Sequence, residues 1–234
     1  MGVWPTHRAP PRRPLLAIAD AVHVAFASAL AIALVWRMAM RATSGQLVPV
    51  VLGMLLGFLA ADVASGLLHW WCDTYLAPTT PLLGPMIIAP FREHHEDPAA
   101  LGRHHWLERN GNNCLAALPL LLLAFCTLRP WQSACAWHGV ASGCLTAASI
   151  TLGLTNQIHA WAHAENAPRL VRWLQRTGVL IAPERHALHH MGSRERAYAV
   201  VSGWSNRWLD RATPRVESAL AHLGMRPSER GSAP

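Results

Sequence analysis

Nine of the fourteen histidines fall into a few tight groups. These are His69-Trp70-Trp71-Cys72-Asp73, Glu93-His94-His95, Arg103-His104, His159-Ala160-Trp161-Ala162-His163 and His186-Ala187-Leu188-His189-His190. Neutral imidazole is the commonest metal ligand near neutral pH. So many nitrogen donors exceed what one ion can use, so the set implies more than one metal. Each group lies at or just past the end of an apolar stretch long enough to cross a bilayer. That placement points to metal-based oxidation carried out on a lipid.

The spacing within the groups is helical. Asp62, Gly66, His69 and Asp73 recur at steps of four, three and four, which is one face of an α-helix. Asp62 lies about two turns, or ~10 Å, deeper in the membrane than His69, where an acid is costly and must face the bundle interior. It is either a polar contact to another helix or an acceptor that orients a ligand histidine, directly or through water. His159 and His163 stand four apart and share a face. In His186-x-x-His189-His190, two positions share a face and the third reaches a neighbouring ion. His7, His23, His138 and His222 stand alone and read as structural, and His105 is undecided between the two roles.

Few carboxylates join these groups: Asp73, Glu93, Glu96 and Asp97. Soluble di-iron bundles are carboxylate-rich. A nitrogen-rich set beside an apolar substrate instead fits membrane desaturases and hydroxylases, which remove hydrogen from unactivated C–H bonds. Zinc stays open on ligand type alone, although it supplies no redox chemistry.

The elements that must position these residues are membrane helices. The chain has 234 residues, 52% of them hydrophobic and 14% charged, against ~25% charged in soluble domains. Mean hydropathy is +0.18. Four apolar segments cover about residues 15–40, 47–68, 114–128 and 134–158. A span needs ~20 apolar residues. Three segments meet this easily; the third is short, holds Pro119, and is expected to extend back into Asn112-Asn113. Trp36, Trp70, Trp71, Trp131, Trp137 and Trp161 lie at the segment ends, as interfacial aromatics do. Residues 170–181 mix Leu170, Trp173 and Leu174 with Arg172 and Arg176 and suit a helix lying in the interface plane. Residues 1–14 read as a disordered basic N-terminus, 15–212 as the membrane domain and 213–234 as a polar tail. The N-terminal apolar run is too long for a signal peptide's core and is expected to be retained. The five cysteines, odd in number and without a CxxC pair, read as reduced and buried.

All 20 basic residues are arginines, and the net charge is +7. No nucleic-acid motif accompanies them, so the excess reads as membrane orientation. With both termini inside, seventeen arginines fall on the cytoplasmic side and three outside. The positive-inside rule therefore sets both termini cytoplasmic, and the same topology gathers every histidine group on that face.

At the histidine groups the chain resembles a known family. Phe91-Arg92-Glu93-His94-His95-Glu96-Asp97-Pro98, Arg103-His104 and Asn110-Gly111-Asn112-Asn113-Cys114 are similar to the lipid desaturase family of plasmanylethanolamine desaturase. This family includes an animal enzyme, bacterial CarF proteins and a plant chloroplast desaturase that makes a trans double bond in phosphatidylglycerol. Ala61 to Trp70, Thr155 to His163, the HxxHH group and Ser202-Gly203-Trp204-Ser205-Asn206 match as well, so the resemblance covers about residues 50 to 210. There are departures: His105 and Asn112 stand where animal members carry Asp, Arg185 replaces a His, and Met191–Arg196 lacks a Pro-His pair.

The resemblance implies an all-α integral membrane protein of about four spans with a cytoplasmic histidine-rich cap, in a bacterial inner membrane. It implies two iron ions, O2 as co-substrate, and His69, His94, His95, His104, His159, His163, His186, His189 and His190 as ligands. Asp62, Asp73, Glu93 and Asn156 are implied as residues that orient ligands or occasionally bind metal. The implied reaction converts a 1-O-alkyl ether phospholipid, plasmanylethanolamine, to its vinyl ether. The alternative in the same class desaturates an ester-linked acyl chain, and a hydroxylase with the same irons is a further one. No flavin, nicotinamide or cytochrome motif is present, so electrons are expected from a ferredoxin or cytochrome b5-like carrier docking on the Arg-rich face. A non-enzymatic metal-handling membrane protein is the reading from another class. Transport, however, favours ligands near the bilayer midplane, and here they collect at one face.

Overall fold

The structure is a computed structural model that describes residues 13–41, 47–81, 83–127, 135–191 and 195–228. The expected disorder of the extreme N-terminus, His7, Trp131 and the end of the C-terminal tail lie outside these residues. Among the described residues the only regular elements are helices. They are α1 (Pro14–Arg41), α2 (Leu47–Tyr75), α3 (Ala89–Glu96), α4 (Ala100–Arg103), α5 (Trp106–Thr127), α6 (Ala136–Gly153), α7 (Thr155–Ala162), α8 (Arg169–Arg176), α9 (Pro183–His190) and α10 (Asn206–His222), with a π-helical turn at Gly84–Ile88 leading into α3.

Among the described residues three helices are long and apolar enough to cross a membrane: α1, α2 and α5. The third apolar segment does extend backwards, since α5 begins at Trp106 and accommodates Pro119 in its interior. The fourth segment, expected to span easily, forms α6 with 18 residues, about 27 Å against a ~30 Å hydrocarbon core. Its apolar content is diluted by Gly139, Ser142, Gly143, Thr146, Ser149, Thr151 and Gly153. α2 runs past the expected boundary at Leu68, so His69 and Asp73 lie within one uninterrupted helix.

The chain divides into two compact units. One holds residues 11–61 and 106–157. In it Ala27 and Leu34 of α1 pack with Ala117, Leu121 and Ala124 of α5, while Leu15, Ile18, Val22, Ile32 and Val35 are exposed, as lipid-facing residues are. α2 and α6 cross at backbone contact: a Cβ at Gly53 or Gly57 would overlap the carbonyls of Val140 or Cys144. Small residues one turn apart permit that approach within a membrane. All five cysteines are free, but none is buried as expected: Cys72, Cys114 and Cys144 are half-buried, and Cys126 and Cys135 are exposed, Cys126 on an apolar helix whose outer face suits lipid.

The other unit holds residues 62–105 and the chain from Ile158 onward. It contains the C-terminal half of α2, helices α3, α4, α8, α9 and α10, most of α7, and an irregular run over residues 197–200. In α8, Val171 and Gln175 are buried while Leu170 and Trp173 are exposed, the two-faced arrangement expected of an interfacial helix.

Candidate metal centre

The Asp62 face of α2 is a docking rail for the segment that follows α9. The Asp62 carboxylate is fully buried. Its Oδ1 accepts the backbone N–H groups of Ser202 at 2.7 Å and Gly203 at 3.0 Å, and its Oδ2 accepts the N–H of Ser205 at 2.9 Å and that residue's hydroxyl at 2.7 Å. Ser65 Oγ accepts the Val200 N–H at 3.3 Å. Gly66 supplies the clearance, since a Cβ there would overlap Leu209 and crowd Ala199. Gly203 turns the chain with φ 71°, a conformation open to glycine at little cost. Asn206 then clamps Ala199, accepting its N–H at 2.7 Å and donating to its carbonyl at 3.2 Å. Ala197 holds φ 59°, an uncommon conformation for a residue with a side chain, with its N–H donated to Asp210 at 2.8 Å.

This anchored segment sets two histidine rings. The carbonyl of Tyr198 lies 2.9 Å from His69 Nδ1, and that of Arg196 lies 2.9 Å from His189 Nδ1. A carbonyl only accepts, so each Nδ1 carries the proton and each Nε2 presents a lone pair. Metal-ligating histidines are held in this way, with the outer N–H fixed by a carbonyl or carboxylate.

Those two Nε2 atoms converge with His95 on Asp73. His69 Nε2, His189 Nε2 and His95 Nε2 stand 3.2, 3.4 and 3.5 Å from Asp73 Oδ2. All four residues are buried, and their ligand atoms lie within 4.8 Å of one another. His69 Nε2 and both carboxylate oxygens of Asp73 make no hydrogen bond among the described residues. Two imidazole lone pairs and a carboxylate aimed at one dry volume repel each other unless a cation stands between them. The donor set therefore fits a metal ion.

A second group lies beside the first. His94, His159, His163, His186 and His190 again place their ligand atoms within 4.8 Å of one another. His186 Nε2 faces three others: His159 at 2.8 Å, His163 at 3.0 Å and His190 at 3.1 Å. One ring nitrogen has a single in-plane proton or a single lone pair, so it cannot satisfy three such contacts. A cation can, and this set too fits a metal. Burial and the neighbouring imidazoles push His94, His159 and His186 well below their ordinary pKa. Burial takes His163 down to about 4 and His95 to about 2. The rings therefore stay neutral at pH 7, the form that binds metal.

The two groups interlock through shared helices. α3 gives His95 to the first and His94 to the second, and α9 gives His189 to the first and His186 and His190 to the second. The rings of His94 and His95 are 4.3 Å apart and those of His69 and His159 5.7 Å. Ions held by the two groups would be close neighbours.

Eight of the nine expected histidines thus meet, joined by Asp73 directly. His104 does not enter either group: its Nε2 lies 3.4 Å from Glu93 Oε2. Asn156 donates instead to the Arg109 carbonyl at 2.8 Å. Asp62 touches no ligand ring and acts through the segment it anchors. Sequence reasoning missed the carbonyls of Arg196 and Tyr198, since a carbonyl has no residue signature. The one available signal was the Ser202–Asn206 motif, whose turn places them. Arg92 also went unassigned; its guanidinium donates to the carbonyls of Asp73 at 3.1 Å and Leu76 at 3.2 Å, fixing the end of α2 against α3.

Residues 58–229 match the lipid desaturase domain family. The chain is 42% identical over 156 residues to the plasmanylethanolamine desaturase of Myxococcus xanthus, covering 67% of this chain and 54% of that protein. It is 38% identical over 173 residues to plasmanylethanolamine desaturase 1 of Mus musculus, covering 69% of this chain and 60% of the mouse protein. It is 33% identical to the chloroplastic fatty acid desaturase 4 of Arabidopsis thaliana, covering 73% of this chain and 52% of that one. The matched region thus spans little more than half the length of each of these relatives. No solved structure matches the chain.

Proposed function

The chain belongs to the lipid desaturase family, and from that premise we propose that it desaturates the alkyl chain of a 1-O-alkyl ether phospholipid, plasmanylethanolamine, to the vinyl ether of a plasmalogen. The observation that carries this reading is the pair of adjacent ligand groups, His69, Asp73, His95 and His189 beside His94, His159, His163, His186 and His190. The metal is taken to be iron, two ions per chain. Bound there, the irons supply the oxidising equivalents taken from O2.

The reaction breaks one C–H bond on each of two adjacent carbons and forms the C=C bond, releasing two electrons and two protons. Reduction of O2 to two waters takes four of each, so two electrons and two protons come from outside. A ferredoxin or cytochrome b5-like carrier is the proposed source, docking on an arginine-rich cytoplasmic face with both termini on that side.

The chain's own residues hold and shield the reacting volume. Tyr198 O and Arg196 O keep His69 and His189 in the metal-binding tautomer. Asp62 keeps the segment bearing those carbonyls in place. Burial of His69, His94, His159, His186 and His189 excludes water, which protects an oxidising centre from side reactions.

The assay is a chemical one. Expression in a host lacking the activity, fed a 1-O-alkyl lipid, is expected to give a fatty aldehyde on mild acid treatment, dependent on O2 and on His163. New double bonds confined to ester-linked chains would replace this reading with acyl desaturation, the activity suggested by the Arabidopsis relative's name. Neither product, with a competent electron donor present, would refute lipid desaturation.

A further inference from the structure

A concavity of about 370 Å3 opens between α8 and α9, lined in part by Gln175, Arg176, Thr177, Gly178, Glu184 and Arg185. None of the metal-ligand residues lines it. Its charged walls carry both signs: the guanidinium groups of Arg176 and Arg185, and the carboxylate of Glu184. Among the described residues these three side chains have no ion pair or hydrogen bond. Their charges are committed to nothing else in the fold.

The concavity is tied to the metal centre on two sides. Gln175 is buried and donates from its side-chain amide to the carbonyl of Trp161 at 3.3 Å, the residue midway between His159 and His163. α9 supplies Glu184 and Arg185 to the concavity and His186, His189 and His190 to the ions. Arg185 and His186 are consecutive, with Cα atoms about 3.8 Å apart. The surroundings are apolar and exposed: Leu170 and Trp173 on α8, and Trp204, whose indole nitrogen lies 3.9 Å from where a Gly178 Cβ would stand. Exposed Trp and Leu beside arginines mark an element seated at the headgroup level of a bilayer.

We propose that this concavity binds the headgroup of the lipid substrate, with Arg176 and Arg185 on the phosphate and Glu184 on the ethanolamine ammonium. The inference rests on the phospholipid reading above and adds the residues that choose the headgroup. A guanidinium presents a planar fork of N–H donors that matches phosphate oxygens. A carboxylate accepts N–H donors from a primary ammonium, and a trimethylated choline has none to give. The headgroup site then uses exposed residues of the first turn of the same short helix whose buried His186 and His189 face the metal centre.

The test uses the full chain, purified with its metal, and native mass spectrometry of lipid binding, with aldehyde release measured in parallel. The 1-O-alkyl ethanolamine lipid is expected to bind in preference to its choline counterpart. The double variant Arg176→Gln/Arg185→Gln is expected to weaken binding of both by about tenfold, the scale of lost charge-assisted hydrogen bonds. Glu184→Gln is expected to erase the ethanolamine preference while choline-lipid binding stays constant. Should the double variant lose its metal, Glu184→Gln decides alone. O-phosphoethanolamine is expected to displace the lipid where inorganic phosphate at equal concentration does not. Equal displacement by inorganic phosphate would make this a free-phosphate site and overturn the proposal, as would unchanged headgroup preference in Glu184→Gln. Those results leave aldehyde release by the parent protein intact, whereas headgroup binding without any lipid oxidation would break only the desaturase reading.

Discussion

In the group of His69, Asp73, His95 and His189, two of three rings are locked by backbone carbonyls and the fourth ligand is an anion. In the group of His94, His159, His163, His186 and His190, the donors are all neutral nitrogens, and four Nε2–Nε2 contacts crowd them, against one, His95 to His189 at 3.0 Å, in the first. His186 Nδ1 is buried there without a hydrogen bond. The first group is arranged by the polypeptide without an ion, and its carboxylate would offset part of a bound cation's charge. The second would be ordered by a bound ion. The two groups thus contrast a site built by the fold with a site that a metal would complete.

The largest effects are expected from removing one donor on each side of this contrast. His189→Ala and His163→Ala should both take lipid oxidation to background while the protein still inserts in membranes, which fractionation and the aldehyde assay would measure. Chelation should then separate the sites. A graded chelator titration followed by metal analysis is expected to release the ions in two steps, the all-histidine site emptying first. Asp73→Asn should merge the two steps by weakening the other site.

Asp62→Asn tests whether the first site is arranged from outside. It weakens the anchor of residues 202–205, and through them the carbonyls on His69 and His189. Changes to such outer partners of metal ligands cost roughly 10–100-fold in metal affinity or activity. The loss is expected at the first site and much less at the second. An equal loss at both would end the distinction.

A smaller effect concerns pH. His163 is held near 4 in the fold, against its ordinary value of 6.5, and His94, His159 and His186 are also held low. Between the two values the unfolded chain binds more protons than the folded one, so stability falls as pH falls. Metal-free protein should therefore lose thermal stability from pH 7 towards pH 4; bound metal should raise stability at pH 7 and leave the fall at least as steep, because acid must also displace the ion. The smallest effect is expected from His104→Ala. Its partner is Glu93, and partly exposed pairs contribute ~0–1 kcal/mol, so activity should change by less than about fivefold.

Much of the site was legible because helix periodicity and ligand chemistry leave marks in sequence. The four-residue step of His159 and His163 and the Asp62–Gly66–His69–Asp73 face needed no tertiary information. Asp62 could be recognised as a buried acid, but not its partners, because backbone amides carry no sequence signature. The same holds for the carbonyls of Arg196 and Tyr198. His104 looked like its neighbours in sequence, yet it lies just past the four-residue α4, which directs it toward Glu93. The fourth apolar segment was mostly legible by composition, but α6 ends at Gly153 and Leu154 breaks it from α7. Asp20, buried on α1 against Gly111 of α5, was not singled out because it stands alone in an apolar run.

The most direct test of two distinct ion sites is the ratio of iron to protein in the purified chain and in two variants. The ratio is expected to approach two in the parent and to fall to about one in both His189→Ala and His163→Ala, with all ions lost in the double variant. A ratio of one in the parent, or a single substitution that removes both ions while the fold persists, would contradict the account.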